Sequence, residues 1–346
     1  MSRVAAENPR FNRVRCPSRR EFIQTALRTA TGTALVPALG LISPETLSAL
    51  LTTTDVQALT PARLPSRVVR ITDQRMIPVR IVQRDLLRDY LVEGLRRLTG
   101  AKTAADAWHD ILAPDDVILI KFNRSGRQQI GTCPALAIEL VDSLVRSGWA
   151  PERIMLLEAG DYPPRPYKTK APDYRWQGSV VDFGTSGKDS FLAALDQATA
   201  IINVPFLKTH HRATMTCCLK NLSHGLIRHP ASFHANGCDP AIGEIVASPP
   251  IRDRLKLNIV NGLRAVFDGG PEAGAREMDS VGTLLFSRDP VACDAIAYGI
   301  LNEIRSLHQL GPLLPGSRAP RQLVTAARLG VGQFDVDAID LQDLGN

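Results

Sequence analysis

The feature that most constrains this chain is an alternation of two kinds of segment. Short, branched, apolar runs at 68–71, 117–121, 154–158, 200–204, 257–260 and 283–286 have the length and composition of buried strands. Between several of them lie helical patterns, at 85–98, 134–147, 190–197, 290–305 and 321–329. Leu136, Leu140, Val141 and Leu144 recur at helical spacing, and Gly148 stands where such a helix would stop. Strands that are apolar along their whole length need cover on both faces, which crossover helices supply. The expectation is therefore α/β: a single large domain with a mostly parallel sheet and helices on both faces. The stretch 161–178, rich in Pro and charge, reads as a surface loop.

Charge enters the argument only once it is located. The chain carries a formal +6, but residues 1–49 hold seven Arg against three Glu, which leaves +2 for the rest. A nearly neutral body lacks the basic stripe that phosphate backbones require, so no nucleic-acid partner is expected. No uncharged apolar run reaches the ~18 residues of a bilayer-spanning helix, so no integral membrane domain is expected either. Six Cys in 346 residues are too sparse for a disulfide scaffold.

The basic N-terminal segment has an order of its own. Ser18-Arg19-Arg20-Glu21-Phe22-Ile23 precedes a mildly apolar stretch over 25–42, rich in Ala, Thr and Gly and closed by Pro44. This resembles a twin-arginine export signal, which implies the translocation machinery as a partner and a periplasmic location. The expected organisation is a signal over 1–49, a linker over 50–66 punctuated by Pro61 and Pro65, and an α/β domain over 67–346. Cleavage after Ala49 or Ala58 is the leading expectation, and a retained anchor the alternative. The twin-arginine route carries proteins that are already folded, which favours a bound metal ion or organic cofactor without naming one.

Several motifs are missing. There is no G-x-G-x-x-G dinucleotide turn, no nucleophile elbow, no H-E-x-x-H helix, and no Cys-x-x-Cys spacing of a zinc ribbon or iron–sulfur cluster. The phosphate-like run Gly184-Thr185-Ser186-Gly187-Lys188 lacks the flanking residues of a P-loop and reads as a polar turn.

The chemistry-bearing residues concentrate between Asn203 and Asp239, which hold five of the seven His and three of the six Cys. Lys208, His210 and Lys220 follow the strand end at Val204-Pro205, and loops beyond the carboxyl ends of parallel strands are where open α/β sheets place ligands. Lys121 ends another strand and would converge on the same rim. Lys is scarce, eight against 33 Arg, so three near these motifs point to a compact ammonium that holds a carboxylate or phosphate, or acts as base or amine nucleophile. Lys208, His210 and Lys220 are the candidate catalytic residues, and Lys121, Asn123, Asn221, Arg228 and Asp294 the candidate ligand contacts. In this reading Pro205 ends the strand, 206–211 form its exit loop, and Lys220 and Asn221 return across the same edge.

His and Cys allow two readings. One is a metal site from His210 with His229 or His234 and Cys238. The other is a His-rich polar loop around an anion pocket. Cys217 and Cys218, read as neighbours on a strand, would point to opposite faces and serve packing. Asp294, early in a helix, either caps backbone amides or reaches the site.

The same residues, with flanking pieces, resemble the DUF362 family, a domain of unknown function. The matching pieces are Ile118-Leu119-Ile120-Lys121-Phe122-Asn123, the Pro-x-x-Lys-Thr-His run at 205–210, Leu219-Lys220-Asn221 with Gly225, Gly269-Gly270-Pro271, and Ser287 to Asp294. They span roughly 67–330. Where the family has the Asp of an I-V-D-G segment, this chain has Asn261. The resemblance implies fold and site position and leaves activity open. Three functions are compatible with these residues: an exported cofactor- or metal-dependent enzyme or redox accessory protein; a periplasmic binding protein for a small anionic ligand; and, from a looser likeness in residue types to nickel-pincer racemases, a 2-hydroxyacid isomerase-like enzyme.

Overall fold

A computed structural model describes residues 66–78, 81–124, 133–159 and 167–345. The export signal expected over 1–49 and nearly all of the linker lie outside the described residues. The strands are β1 Ser66–Thr72, β2 Ile118–Lys121, β3 Ile154–Leu157, β4 Val181–Asp182, β5 Lys188–Asp189, β6 Ala200–Asn203, β7 Phe206–His210, β8 Thr214–Thr216, β9 Leu255–Val266, β10 Met278–Ser287 and β11 Ile339–Gly345. The helices are α1 Arg84–Thr99, α2 Ala104–Ile111, α3 Pro134–Arg146, α4 Ala194–Gln197, α5 Cys218–Ser223, α6 Ala241–Ala247, α7 Pro249–Arg252, α8 Pro290–Leu307 and α9 Arg321–Arg328.

Among the described residues, nine strands form one sheet. Its main path runs β11-β1-β10-β9-β6-β2-β3, with β7 beside β9 and β8 beside β7. The pairs β1–β11, β2–β3, β2–β6, β6–β9 and β7–β9 are parallel, and β1–β10, β9–β10 and β7–β8 are antiparallel. The sheet is thus mostly parallel, with helices on both faces. Alternation along the strands decides which face each residue covers. Ile118, Ile120 and Ile202 pack with Leu87, Leu91, Leu95, Trp108 and Leu140 of the α1–α3 layer. Leu119 and Ile201 pack with Leu219, Leu222 and Ile245 of α5 and α6 on the other face. Val68, Val260 and Leu285 meet Ala297 and Leu301 of α8 there.

The six expected strands are all present. The pattern at 190–197 yields only the single turn of α4. Two expectations fail next to the site. Residues 206–210 are not an exit loop: they form β7, a second strand laid along β9 after β6. Proline removes one N–H donor, but Pro205 still offers its carbonyl, which accepts from Asn261 N at 2.8 Å, so pairing resumes beyond it. Cys217 and Cys218 are not on a strand either: Cys217 precedes α5 and Cys218 opens it.

Candidate functional site

The parallel register sets a polar row at the carboxyl edge of the sheet. Asn258 of β9 stands opposite Asn203 of β6, which stands opposite Lys121 of β2. All three are fully buried. Just beyond β3, Glu158 adopts φ 62, a left-handed conformation uncommon for a residue with a Cβ, and its Oε2 lies 3.0 Å from Lys121 Nζ. Lys121 Nζ also donates to the Phe122 carbonyl at 2.6 Å and to Asn221 Oδ1 at 3.2 Å. A Cβ at Gly225 would come within 2.6 Å of Lys121 Nζ, so the ammonium is seated against a position that must lack a side chain.

β7 and α5 bring two more lysines to this edge. On β7, Lys208 and His210 share one face because they are two residues apart. Lys208 is fully buried and donates to Asn123 Oδ1 at 3.2 Å. Lys220, in α5, is buried and its Nζ faces His234 Nε2 at 3.5 Å. Burial disfavours an ammonium, and it pushes Lys121 down from its ordinary value against the pull of Glu158. Lys208 is lowered to about 8 by burial and then by repulsion from Lys220. Lys220 falls to about 8 through burial.

Four asparagines join these groups in one directed chain. Lys208 Nζ donates to Asn123 Oδ1, Asn123 Nδ2 to Asn221 Oδ1 at 3.0 Å, and Asn221 Nδ2 to Asn203 Oδ1 at 2.8 Å. Asn203 Nδ2 donates to Asn258 Oδ1 at 2.9 Å, and Asn258 Nδ2 to the Ser287 carbonyl at 3.2 Å. An ammonium can only donate and a carbonyl can only accept, so the two ends fix every amide between them. Each bond polarises the next, which holds Lys208, Asn221 and Lys121 in one geometry.

The histidines divide by tautomer. His210 Nδ1 accepts from the amides of Arg212 at 3.1 Å and Ala213 at 3.2 Å, so its proton sits on Nε2 and the ring enters the site as a donor. Burial, with Lys220 next, lowers its pKa to about 3, which keeps the ring neutral. A ring fixed this way has no lone pair at Nε2, and the expectation of His210 as a metal ligand is corrected accordingly. His234 is the reverse case: Nδ1–H donates to the Pro230 carbonyl at 2.8 Å, leaving a lone pair at Nε2. The two rings stack with centroids 5.9 Å apart.

Lys121, Asn123, Lys208 and Asn221 thus form one hydrogen-bonded group and His210, Lys220 and His234 a second group; the charges of Lys208 and Lys220 bring the two within electrostatic reach, and Cys238 lies beside the second with its thiol buried. Other expected residues lie apart. His229 is turned to Asp189, with Nδ1 2.9 Å from Oδ1, and does not join His234 and Cys238. Arg228 is exposed and engages Ser190 through its main chain. Asp294 is buried and accepts from the amides of Cys218 at 2.6 Å and Leu219 at 3.1 Å, so it caps α5 instead of facing the lysines. The phosphate-like turn is already filled from within, because the Glu244 carboxylate accepts from Thr185 N and Ser186 N. A cleft beside Arg84, Arg88 and Arg146 is polar but self-paired, Arg84 with Glu139 and Arg146 with Asp142.

Sequence reasoning missed Glu158, Asn203, Asn258 and His224. Glu158 and Asn203 had a signal, since each stands at or near the carboxyl end of an expected strand, where an uncharged apolar run gives way to a polar side chain; Asn258, near the start of its strand, had none. His224 had none beyond membership of the His-rich stretch. Chemically, the cluster offers ammonium and imidazole donors in a buried, preorganised frame, with one carboxylate, Glu158, beside Lys121. That arrangement suits a small molecule carrying negative charge.

No curated protein matches this sequence. A family model described as Domain of unknown function (DUF362) matches residues 173–299, the segment that carries Lys208, His210, Lys220, Asn221 and Asp294. The match covers the motifs from Pro205 to Asp294 and leaves Ile118 to Asn123 outside it, and it supports assigning this segment to the DUF362 family.

Proposed function

We propose that the chain is an exported enzyme that acts on a small anionic substrate, a carboxylate or phosphate, at the carboxyl edge of its sheet. Lys208 and the Nε2–H of His210 hold the anion, Asn123 and Asn221 keep Lys208 and Lys121 in place, and Lys220 reaches the reacting atoms from α5. The observation that carries this reading is the convergence of three buried lysines from β2, β7 and α5 on one cluster. Lys220 and Lys121 repel the ammonium of Lys208 even with Glu158 beside Lys121, and a bound anion would offset that repulsion. Export rests on Arg19-Arg20 and the apolar stretch that follows.

Calorimetric titration with inorganic phosphate and with oxalate tests the site. One anion per chain is expected, with binding lost in Lys208→Met and weakened in Lys220→Met; unchanged affinity in both variants would refute the assignment. Incubation with a mixture of small carboxylic acids and phosphate esters, followed by mass spectrometry, tests turnover. Binding with no substrate consumed would make the protein a binding protein. Replacing Arg19 and Arg20 together by Lys tests export, and undiminished periplasmic recovery would remove that part of the reading.

A further inference from the structure

We propose that His224, His234 and Cys238 form a metal site of the zinc class, open on the side of Lys220. One ligand atom from each residue lies within 4.8 Å of the others, so small side-chain movements would bring all three to bonding distance of one ion. The three residues come from the end of α5 and the loop after it, within 15 residues of chain.

The hydrogen bonds around the two rings leave the right atoms available. A carbonyl can only accept, so the Pro230 carbonyl, 2.8 Å from His234 Nδ1, fixes that proton and leaves Nε2 with a lone pair. The Phe233 carbonyl, 3.2 Å from His224 Nε2, does the same for the opposite nitrogen and leaves Nδ1 with a lone pair. Ser223 Oγ is 3.0 Å from that Nδ1 and also 3.3 Å from the Lys220 carbonyl, so its hydroxyl can turn to the carbonyl and free the nitrogen. Imidazoles whose far N–H is tied to a main-chain carbonyl are the outer-shell arrangement that orients metal ligands.

The thiol is delivered by unusual backbone. Asn236, Gly237 and Cys238 are successively left-handed, with φ of 52, 74 and 65. Asn and Gly tolerate this region, but a cysteine does so at some cost. The turn buries the Cys238 thiol against the His pair. Two imidazoles and a thiolate suit zinc and other borderline metals, and three protein ligands leave a fourth position for water or substrate. Lys220 Nζ, 3.5 Å from His234 Nε2, holds that lone pair in the metal-free chain and is the cation a metal must displace.

A second group of potential ligands, Cys217, Cys218 and Asp294, has similar spacing and does not compete. The two oxygens of Asp294 already accept from the amides of Cys218 and Leu219, and all three residues are fully enclosed.

The test uses the full chain, stripped with a chelator and titrated with Zn²⁺ and Co²⁺ alone. One ion per chain is expected, with a cobalt–thiolate charge-transfer band that disappears in Cys238→Ser and persists in Cys217→Ser. Affinity should fall about ten-fold or more in His224→Ala, and rise in Lys220→Met as the competing ammonium is removed. Absence of a thiolate band in the unmodified chain overturns the proposal, whatever the variants do. So does loss of the band in Cys217→Ser with retention in Cys238→Ser. Because no anion takes part, failure here leaves the anion titrations to decide the proposed function separately.

Discussion

The helix α5 has a polar cluster at each side, and the two are built on opposite principles. At its start, Asp294 sits fully buried with both oxygens on backbone amides, and Cys217, Cys218 and Cys293 fill the space around it. Burial raises the Asp294 pKa to about 6 and that of Cys217 to about 12, so the thiols stay protonated and inert. Further along, Lys220 and Asn221 face Lys121, Lys208, His210 and His234, where donors outnumber carboxylates among the described residues. The first cluster is complete within the fold. The second is the one on which the proposed anion site rests. One short helix therefore carries two kinds of buried polar cluster, one in which a carboxylate is matched by backbone amides and one in which several ammonium groups gather beside Glu158.

That contrast can be broken most directly at Asp294. Asp294→Ala leaves the amides of Cys218 and Leu219 buried without an acceptor, and should destabilise the protein by about 2–5 kcal/mol, read from the denaturant midpoint. Asp294→Asn, which keeps one acceptor oxygen, should recover part of the loss. If Asp294→Ala instead spares stability and abolishes anion binding, the two clusters have been assigned the wrong way round.

Gly225→Ala probes the seat of Lys121. The new Cβ would meet Lys121 Nζ at 2.6 Å and the Asn221 carbonyl at 2.7 Å, so a loss of about 1–3 kcal/mol is expected, together with weaker phosphate binding. A variant as stable and as competent as the parent would show that the ammonium is not held there.

Lys208→Met should act mainly on the ligand. Phosphate affinity is expected to fall about ten-fold or more, the effect of one charge-assisted hydrogen bond, while stability changes less than in Asp294→Ala. Equal losses of both would place Lys208 with the structural cluster.

The smallest effect is a pH dependence. Lys208 has a folded pKa of about 8 against its ordinary 10.5, so the unfolded chain holds that proton to higher pH. Between these values the unfolded state binds more protons, and the Lys208 contribution makes stability rise with pH; below 8 its penalty is constant. The rise should be smaller in Lys208→Met, and phosphate, which stabilises the ammonium, should also reduce it in the parent. Melting curves from pH 8 to 10.5 measure it, and identical slopes in parent and variant would exclude Lys208 as their source.

Much of this molecule was legible in its sequence. The runs at 118–121, 154–157 and 200–203 could only be buried strands, because each is apolar throughout and too short for a helix. The order of strand and helix then implied the mostly parallel sheet. Lys121, Lys208, His210, Lys220 and Asn221 were marked by scarcity, clustering and position after strand ends. Less visible was β7, because a proline before it reads locally as a stop, whereas its carbonyl finds Asn261 on a strand 56 residues later. α5 was hidden too, since six residues give no periodicity and its start is fixed by Asp294, far along the chain.

Sequence alone, then, determined the fold class and which residue types gather near the sheet's edge, since both follow from local pattern and composition. Tertiary structure alone decided which of them meet. Strand register set Asn258, Asn203 and Lys121 in one row. Backbone amides of Arg212 and Ala213 made His210 a donor, and the Pro230 carbonyl gave His234 its free lone pair. Asp189 drew His229 away. A side chain's chemistry depends on the partner that fixes its proton and on its removal from water, and both are supplied by residues distant in sequence.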